Sequence, residues 1–386
     1  MRILVDYRPA LRARTGVGEY MHELTRAYTA AYRDDTVGVF TSSWKDRPAP
    51  DTGTILRARV VDRRIPVRVL NYLWHRHGWP AVETLAGPWD VVHAAHPLLI
   101  PASRAARVVT IHDLFFLSQP ERTRAEIRRD YPALTLRHAR RADAIVAPSE
   151  YTRRQAASQL GVPLDRIHVC SPGAPHWLLS GRPARPPLRE RYLLFFGTLE
   201  PRKNVGALLD AYALLLERDA ALPRLVLAGR ATEDADAWLA RLHAPPLSGH
   251  VEHLGYVADG DREAVYRGAC ALVMPSLDEG FGLPALEAMA AGVPVIASNR
   301  GALPEVLGEA GVVVAPDDVP GLAAAIARVA ADDAWAAGLA QAGLARARAF
   351  SWDRAAQAVH AAYEDAVARR DARLASAART EQVTAG

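Results

Sequence analysis

The sequence predicts an α/β protein of two domains, each built on a mostly parallel sheet. Short apolar or β-branched runs alternate with helix-length segments along the whole chain, which is the pattern of βαβ units. The runs are apolar without alternation, as strands covered on both faces are. A length of 386 residues exceeds what one ordinary core organises and suits two domains of roughly 150–200 residues. The alternative is one doubly wound domain with a loop insertion.

In the first half the strands are expected at residues 3–7, 37–41, 55–61, 91–94, 108–112, 144–148 and 168–171. In the second half they are expected at 192–196, 225–228, 251–256, 271–274, 293–297 and 312–315. Between the halves, Ser180-Gly181-Arg182-Pro183-Ala184-Arg185-Pro186-Pro187 has no apolar period and reads as a linker. Residues 1–178 then form one domain, 179–191 the linker and 192–350 the second domain. Ser351 can cap a helix that carries Trp352, Ala356, Val359, Tyr363 and Ala366 on one stripe, so residues 351–370 should dock on a neighbour. Beyond Asp371 the chain turns to Ala, Arg, Ser and Thr, and a disordered tail is expected over 371–386.

Half of the residues are hydrophobic and 23% are charged, the balance of a soluble globular protein. No apolar run reaches the roughly 18 residues of a spanning helix, and the N-terminus reads as an immediate strand, not a signal peptide. Cys170 and Cys270 sit in apolar runs, which points to buried thiols and a reducing, cytoplasmic setting. The net charge of +4 fits anionic small molecules or a membrane surface, and it is too weak and dispersed for nucleic acid. Of 47 basic residues only Lys45 and Lys203 are lysine.

Four segments carry candidate chemistry. The first is 275–292, Pro-Ser-Leu-Asp-Glu-Gly-Phe-Gly-Leu-Pro-Ala-Leu-Glu-Ala-Met-Ala-Ala-Gly, after an apolar strand. Gly280 and Gly282 allow a tight loop, Pro284 suits the first turn of a helix and Gly292 its end. Glu279 therefore falls on the loop and Glu287 on an apolar helix, whose N-terminus is a ready phosphate site. A carboxylate in an all-apolar helix costs several kcal/mol unless something bonds it. The second is 196–205, Phe-Gly-Thr-Leu-Glu-Pro-Arg-Lys-Asn-Val, where Gly197 turns the chain from strand to helix. Arg202 and Lys203 then stand where two cations can clamp a diphosphate as it leaves. Cations at a helix start oppose its dipole, so a purely structural role explains them poorly. The third is Thr15-Gly16-Val17-Gly18-Glu19-Tyr20, a helix opening with exposed amides. The fourth places His112 at the C-terminal end of a strand, where catalytic groups of open sheets gather.

Together these motifs resemble glycosyltransferase family 4, along most of the chain. The most specific part is the glutamate pair in Glu-Gly-Phe-Gly-Leu-Pro-x-Leu-Glu, followed by the Gly-Thr-Leu-Glu-Pro-Arg-Lys-Asn string. The resemblance implies the GT-B fold, two Rossmann-like domains with mostly parallel sheets facing across a cleft, with a C-terminal helix crossing back to the N-terminal domain. It implies that Arg202 and Lys203 bind the diphosphate, that Glu279 contacts the donor sugar and that Glu287 meets the nucleotide ribose. Amides near Phe281, Gly282 and Leu283 would hold phosphate, with Gly197 beside them. Gly16 and Gly18 would line the donor phosphates and acceptor, and His112 would touch the transferred sugar.

Retention on one face of the sugar follows from the same resemblance, with the leaving phosphate helping to deprotonate the acceptor. No Asp-x-Asp pair ends a strand and no His/Cys cluster has metal spacing, so no metal or other cofactor is expected. The Asp-Tyr-Arg-Pro run before the glycine loop looks most like mannosyltransferases that use GDP-mannose in surface-polysaccharide assembly, and a UDP-sugar is the alternative donor. The acceptor would be a glycan, a lipid-linked sugar or a small molecule. Residues 63–79 and 122–141 are rich in arginine, and either could sit on an anionic membrane or form an ordinary solvated face. The other readings are a nucleotide-sugar epimerase of the same architecture and a non-catalytic nucleotide-sugar-binding protein.

Overall fold

Thirteen strands and their connecting helices are present among the residues that the computed structural model describes, which are 1–11, 16–123, 125–175, 191–218 and 222–385. The strands are β1 Arg2–Asp6, β2 Thr36–Ser42, β3 Arg59–Arg63, β4 Val91–Ala94, β5 Ala106–Thr110, β6 Ala144–Ala147, β7 Ile167–Val169, β8 Tyr192–Phe196, β9 Leu225–Ala228, β10 Val251–Gly255, β11 Ala269–Met274, β12 Val295–Ser298 and β13 Val312–Val314. Every pairing between them is parallel. They form a seven-stranded sheet, β3-β2-β1-β4-β5-β6-β7, and a six-stranded sheet, β10-β9-β8-β11-β12-β13.

Two expected strands fall elsewhere. The run 55–61 divides: Ile55 and Leu56 end the short helix Thr52–Leu56, and β3 starts only at Arg59. Leu56 is buried from that helix, and a short apolar run does not distinguish a buried helical turn from a strand. The run 108–112 also shifts: β5 ends at Thr110 and leaves His112 in the loop beyond it.

Two units divide the chain, Met1–Gly173 with Ser351–Gly386, and Ala174–Phe350. In each sheet the central strands are buried on both faces because alternate residues feed two separate cores, while the edge strands β3, β10 and β13 are only partly covered. On β1, Leu4 joins Phe40, Val92 and Ile145 on one face. Ile3 and Val5 join Tyr20, Val359 and Tyr363 on the other. In the second unit Leu193 and Phe195 face Leu208 and Ile326, while Tyr192 and Leu194 face Leu286 and Met289. The expected linker lies outside the described residues except for Arg191.

The helix after Ser351 runs Trp352–Ala385, beyond the expected end at 370 and through the stretch expected to be a disordered tail. Its stripe is buried against the first unit: Ala356 and Val359 are fully covered and Tyr363 is 2% exposed. Burying a large apolar side chain is worth about 1.5–3 kcal/mol, so this helix belongs to the N-terminal unit's core although it follows the second unit in sequence. Among the described residues no helix is long and apolar enough to cross a membrane.

Candidate functional site

Open parallel sheets bind ligands outside the C-terminal ends of the strands where the strand order reverses. In the second unit that switch point lies between β8 and β11. Residues 196–204 leave the end of β8 and residues 275–282 leave the end of β11, so the two most informative segments of the sequence meet there. Backbone ties hold them together. Leu277 N–H donates to Arg202 O at 2.8 Å, and Asn204, at φ 54°, donates its side-chain amide to Pro275 O at 3.2 Å and Pro316 O at 2.9 Å.

Pro201–Lys203 forms one 3₁₀ turn ahead of the helix Val205–Leu216. Lys203 is buried at 8% exposure and donates Nζ to Glu279 Oε1 at 2.6 Å. Arg202 Nη1 reaches Glu279 Oε2 at 3.5 Å. Its Nε and Nη2 donate to Glu200 Oε1 at 3.2 and 3.0 Å. Glu279 is itself buried. Desolvation pushes its carboxyl up, and the charges of Lys203 and then Arg202 outweigh this and hold it below the ordinary carboxylate range. The site therefore contains two cations paired with carboxylates, beside the loop from β11 that ends at a helix N-terminus.

That helix is Leu283–Ala290, with Pro284 in its first turn and Gly282 before it. Pro284 has no N–H, and the Ala285 and Leu286 N–H groups donate to Gly282 O at 2.9 and 3.3 Å, so the backbone donors ahead of the helix's own ladder are those of Phe281, Gly282 and Leu283. The Phe281 side chain is buried edge-on against Phe350, with centroids 5.5 Å apart. Gly197 lies beneath Lys203, whose Cε is 3.6 Å from where a Cβ on that glycine would stand. Gly301, at φ +64°, is pressed against the Asp278–Glu279 backbone: a Cβ there would collide with Glu279 N and O and come within 2.8 Å of Asp278 Oδ1. Only glycine combines that backbone conformation with so close an approach.

Glu287 is not part of the Arg202–Lys203–Glu279 cluster. It is 2% exposed and bonded to Arg262 and, at 2.5 Å, to Tyr266 Oη. Both partners come from the helix Asp259–Gly268. Tyr266 stacks on Phe196, centroids 5.0 Å apart, and the Arg262 guanidinium lies 5.5 Å from the same ring. The two ion-paired groups thus adjoin across Phe196 and Gly197 at the end of β8. Sequence reasoning missed Arg262 and Tyr266, although their i, i+4 spacing places them on one helix face. It also missed Glu200, which lies inside the quoted string.

In the first unit the order reverses between β1 and β4. Asp6 ends β1, is 1% exposed, and accepts Arg8 Nε and Nη2 on its two oxygens at 2.8 Å each. Arg8 Nη1 donates to Asn71 Oδ1 at 2.9 Å, and the guanidinium lies 4.9 Å from the Trp74 ring. Burial raises the Asp6 carboxyl, and the charge and hydrogen bonds of Arg8 lower it further, leaving it below its ordinary range. The sequence showed this group only as part of the Asp-Tyr-Arg-Pro run and assigned it no role.

Gly16 opens the helix Gly16–Ala31, and Thr15 lies outside the described residues. Gly18 is held for packing: a Cβ there would be 2.7 Å from Pro9 O. His112, in the loop beyond β5, donates Nε2–H to Ala95 O at 3.1 Å in the tautomer that the carbonyl requires, and its ring sits edge-on to Tyr20 at 5.2 Å. Desolvation, helped by the neighbouring His96, lowers it to about 4. It is therefore neutral at pH 7 and presents Nδ1 as an acceptor.

The profile of glycosyl transferases group 1 matches residues 190–332, and that of glycosyltransferase family 4 matches residues 14–176. The chain is 32% identical over 377 residues to an O-antigen chain mannosyltransferase B of Escherichia coli, covering 92% of this chain and 97% of the relative. It is 30% identical over 350 residues to an MMP alpha-(1->4)-mannosyltransferase of Mycolicibacterium hassiacum, covering 83% and 84%. A solved sucrose-phosphate synthase of Thermosynechococcus elongatus superposes with a TM-score of 0.73 at 22% identity, over 95% of this chain and 99% of that one, and so shares the fold. With its two parallel-sheet units, its paired motifs at the β8/β11 switch point and relatives that match nearly end to end, the chain belongs to the group 1, family 4 glycosyltransferases.

Proposed function

We propose that this glycosyltransferase moves a hexose from a nucleoside-diphosphate donor to a glycan, lipid-linked or small-molecule acceptor with retention, and that the donor is GDP-mannose. The reading rests on one observation: Arg202, Lys203, Glu279 and an amide-bearing helix start converge at the β8/β11 switch point. Mannose is favoured because two relatives matched over most of their length carry that sugar in their names.

In this reading the diphosphate takes the place that the Glu279 carboxylate now fills on Arg202 and Lys203. Glu279 is then released to accept a hydroxyl of the donor sugar. The bond from the anomeric carbon to the phosphate oxygen breaks, and its electron pair goes to that oxygen. Charge develops there beside two cations and the N–H groups of Phe281, Gly282 and Leu283, and preorganised donors of this kind are usually the largest single contribution to catalysis. The acceptor hydroxyl adds on the same face and gives its proton to the departing phosphate. Gly197 leaves room for the Lys203 side chain. Glu287 meets the ribose with the lone pairs that Arg262 and Tyr266 leave, a carboxylate having about four. In the first unit we assign Gly16 and Gly18 to donor phosphate and acceptor, and His112 Nδ1 to a hydroxyl of the transferred sugar.

A thermal-shift screen of GDP-mannose, UDP-glucose and ADP-glucose tests the donor. A ligand at 100 times its Kd adds about 2.7 kcal/mol of stability, so GDP-mannose should raise Tm by several degrees while the other two do not. A shift with UDP-glucose alone would move the assignment to a UDP-sugar transferase, and no shift with any donor would remove the reading. Nucleotide release should persist in EDTA, and conversion of the donor without acceptor would indicate an epimerase.

A further inference from the structure

The C-terminal ends of β2 and β3 share one corner of the first unit, since Ser42 pairs with Arg63 and Ser42 Oγ donates to Ile65 O at 2.7 Å. From this corner the chain runs into the short helix Val67–Tyr72, the π-helical turn Leu73–His77 and Trp79. Leu70 and Trp74 anchor the inner side and are buried. The outer side is apolar where a solvated helix would be polar: Val69 is 49% exposed, Tyr72 60% and Trp79 64%. Trp44, on the loop that leaves β2, is 73% exposed.

Along the segment that follows β3 the charges have one sign. Residues 63–82 contain Arg63, Arg64, Arg68 and Arg76 and no Asp or Glu. Arg63 Nε is spent on Leu85 O. Arg64, Arg68 and Arg76 are exposed and make no ion pair or hydrogen bond among the described residues. In a protein interface the apolar residues gather into a dry centre with charges at the rim. Here they are interleaved, with Arg68 between Val67 and Val69 and Arg76 between Tyr72 and Trp79. Interleaving suits a headgroup layer, where aromatic rings sit at the boundary and guanidinium groups meet phosphate. A second copy fits poorly, because a two-fold contact would set arginine against arginine.

We propose that this face docks on an anionic phospholipid bilayer. The segment is tied to the C-terminal end of β1, since Arg8 meets Asn71 and the Trp74 ring, so docking would hold that end of the sheet against the lipid surface.

The test is sedimentation of the full chain with phosphatidylglycerol vesicles and with phosphatidylcholine vesicles, at about 0.15 M salt so that long-range attraction is screened. The chain should pellet with phosphatidylglycerol and not with phosphatidylcholine. Arg64→Glu/Arg68→Glu/Arg76→Glu should lower the partition constant by about 100-fold or more, as expected when three cations near an anionic surface are lost. Tyr72→Ala/Trp79→Ala should lower it by about 10-fold or more through lost apolar burial. The altered side chains are exposed, so circular-dichroism melting should match the parent and show that the fold persists. Equal pelleting with both lipids, pelleting with neither, or parent-like partition of the arginine variant overturns the proposal. So does a dimer, or a complex with an acidic protein, that the same substitutions abolish while vesicles stay unbound. Donor thermal shifts do not involve this face, so either proposal can fail alone.

Discussion

Replacing Lys203 by methionine separates what the Lys203–Glu279 pair does for folding from what it does for turnover. Both side chains are at most 10% exposed and their charged atoms are 2.6 Å apart. Breaking a buried pair by removing one partner costs about 3–5 kcal/mol, because the other charge is left uncompensated. Arg202 remains 3.5 Å from Glu279, so the lower end, about 3 kcal/mol, is expected here. At about 2–4 °C per kcal/mol this lowers the second unit's Tm by roughly 6–12 °C. Adding Glu279→Gln should restore most of that, since a neutral buried pair carries no stranded charge. Turnover behaves differently. If Lys203 supports the leaving phosphate, Lys203→Met should reduce kcat by about 10²–10³-fold, the scale of losing one preorganised donor, and the double variant should stay as slow. The assays are urea unfolding for stability and nucleoside-diphosphate release for turnover. Recovery of turnover along with stability in the double variant, or parent-like kcat in Lys203→Met, would refute the reasoning.

Gly301→Ala puts a Cβ into the Glu279 backbone from a left-handed position, so Glu279 must shift. Donor affinity should fall by about 10-fold or more, given that misplacing a site by about 1 Å can cost 10²-fold, and isothermal titration with the donor reads it. His93 is fully buried between Tyr363 Oη at 2.8 Å and Thr110 Oγ1 at 2.7 Å. Desolvation first, then the charge of His112, pushes it down to about 3. Its folded value lies below the unfolded value near 6.5, so the unfolded state binds the proton first. The stability it contributes is complete above about pH 6.5 and is lost as pH falls toward 3, at about 1.4 kcal/mol per pH unit. His93→Gln should flatten the acid side of the stability profile by that slope, and an unchanged slope in urea unfolding from pH 7 to 4.5 would contradict it.

The second unit's candidate site is legible in the sequence because the residues that meet there come from two local segments. Gly197, Arg202 and Lys203 follow one strand, and Glu279 and Gly282 follow another, so each segment announces a strand, a glycine turn and a helix start. Glu287 is legible as a buried carboxylate for the same reason, since the apolar helix around it leaves no solvent face. Its partners are not, because Arg262 and Tyr266 lie on a different helix and pair with it only across the fold. Gly301 is hidden likewise: nothing in Asn299-Arg300-Gly301 says which backbone it touches. In the first unit the sequence favoured His112, whereas the Asp6–Arg8 pair stands at the strand-order reversal, which is known only once β4 is seen beside β1.

By itself the sequence determined the two α/β units, the alternation of strands and helices, the family and the loops that carry charge, because continuous apolar runs and glycine turns are short-range signals. Only the tertiary structure decided which charges neutralise one another, that Glu287 is held by Arg262 and Tyr266, and that Gly301 presses on the Glu279 backbone. Those outcomes depend on contacts between residues far apart in the chain, and pairwise Coulomb and packing energies depend on distance in space, which sequence spacing does not encode.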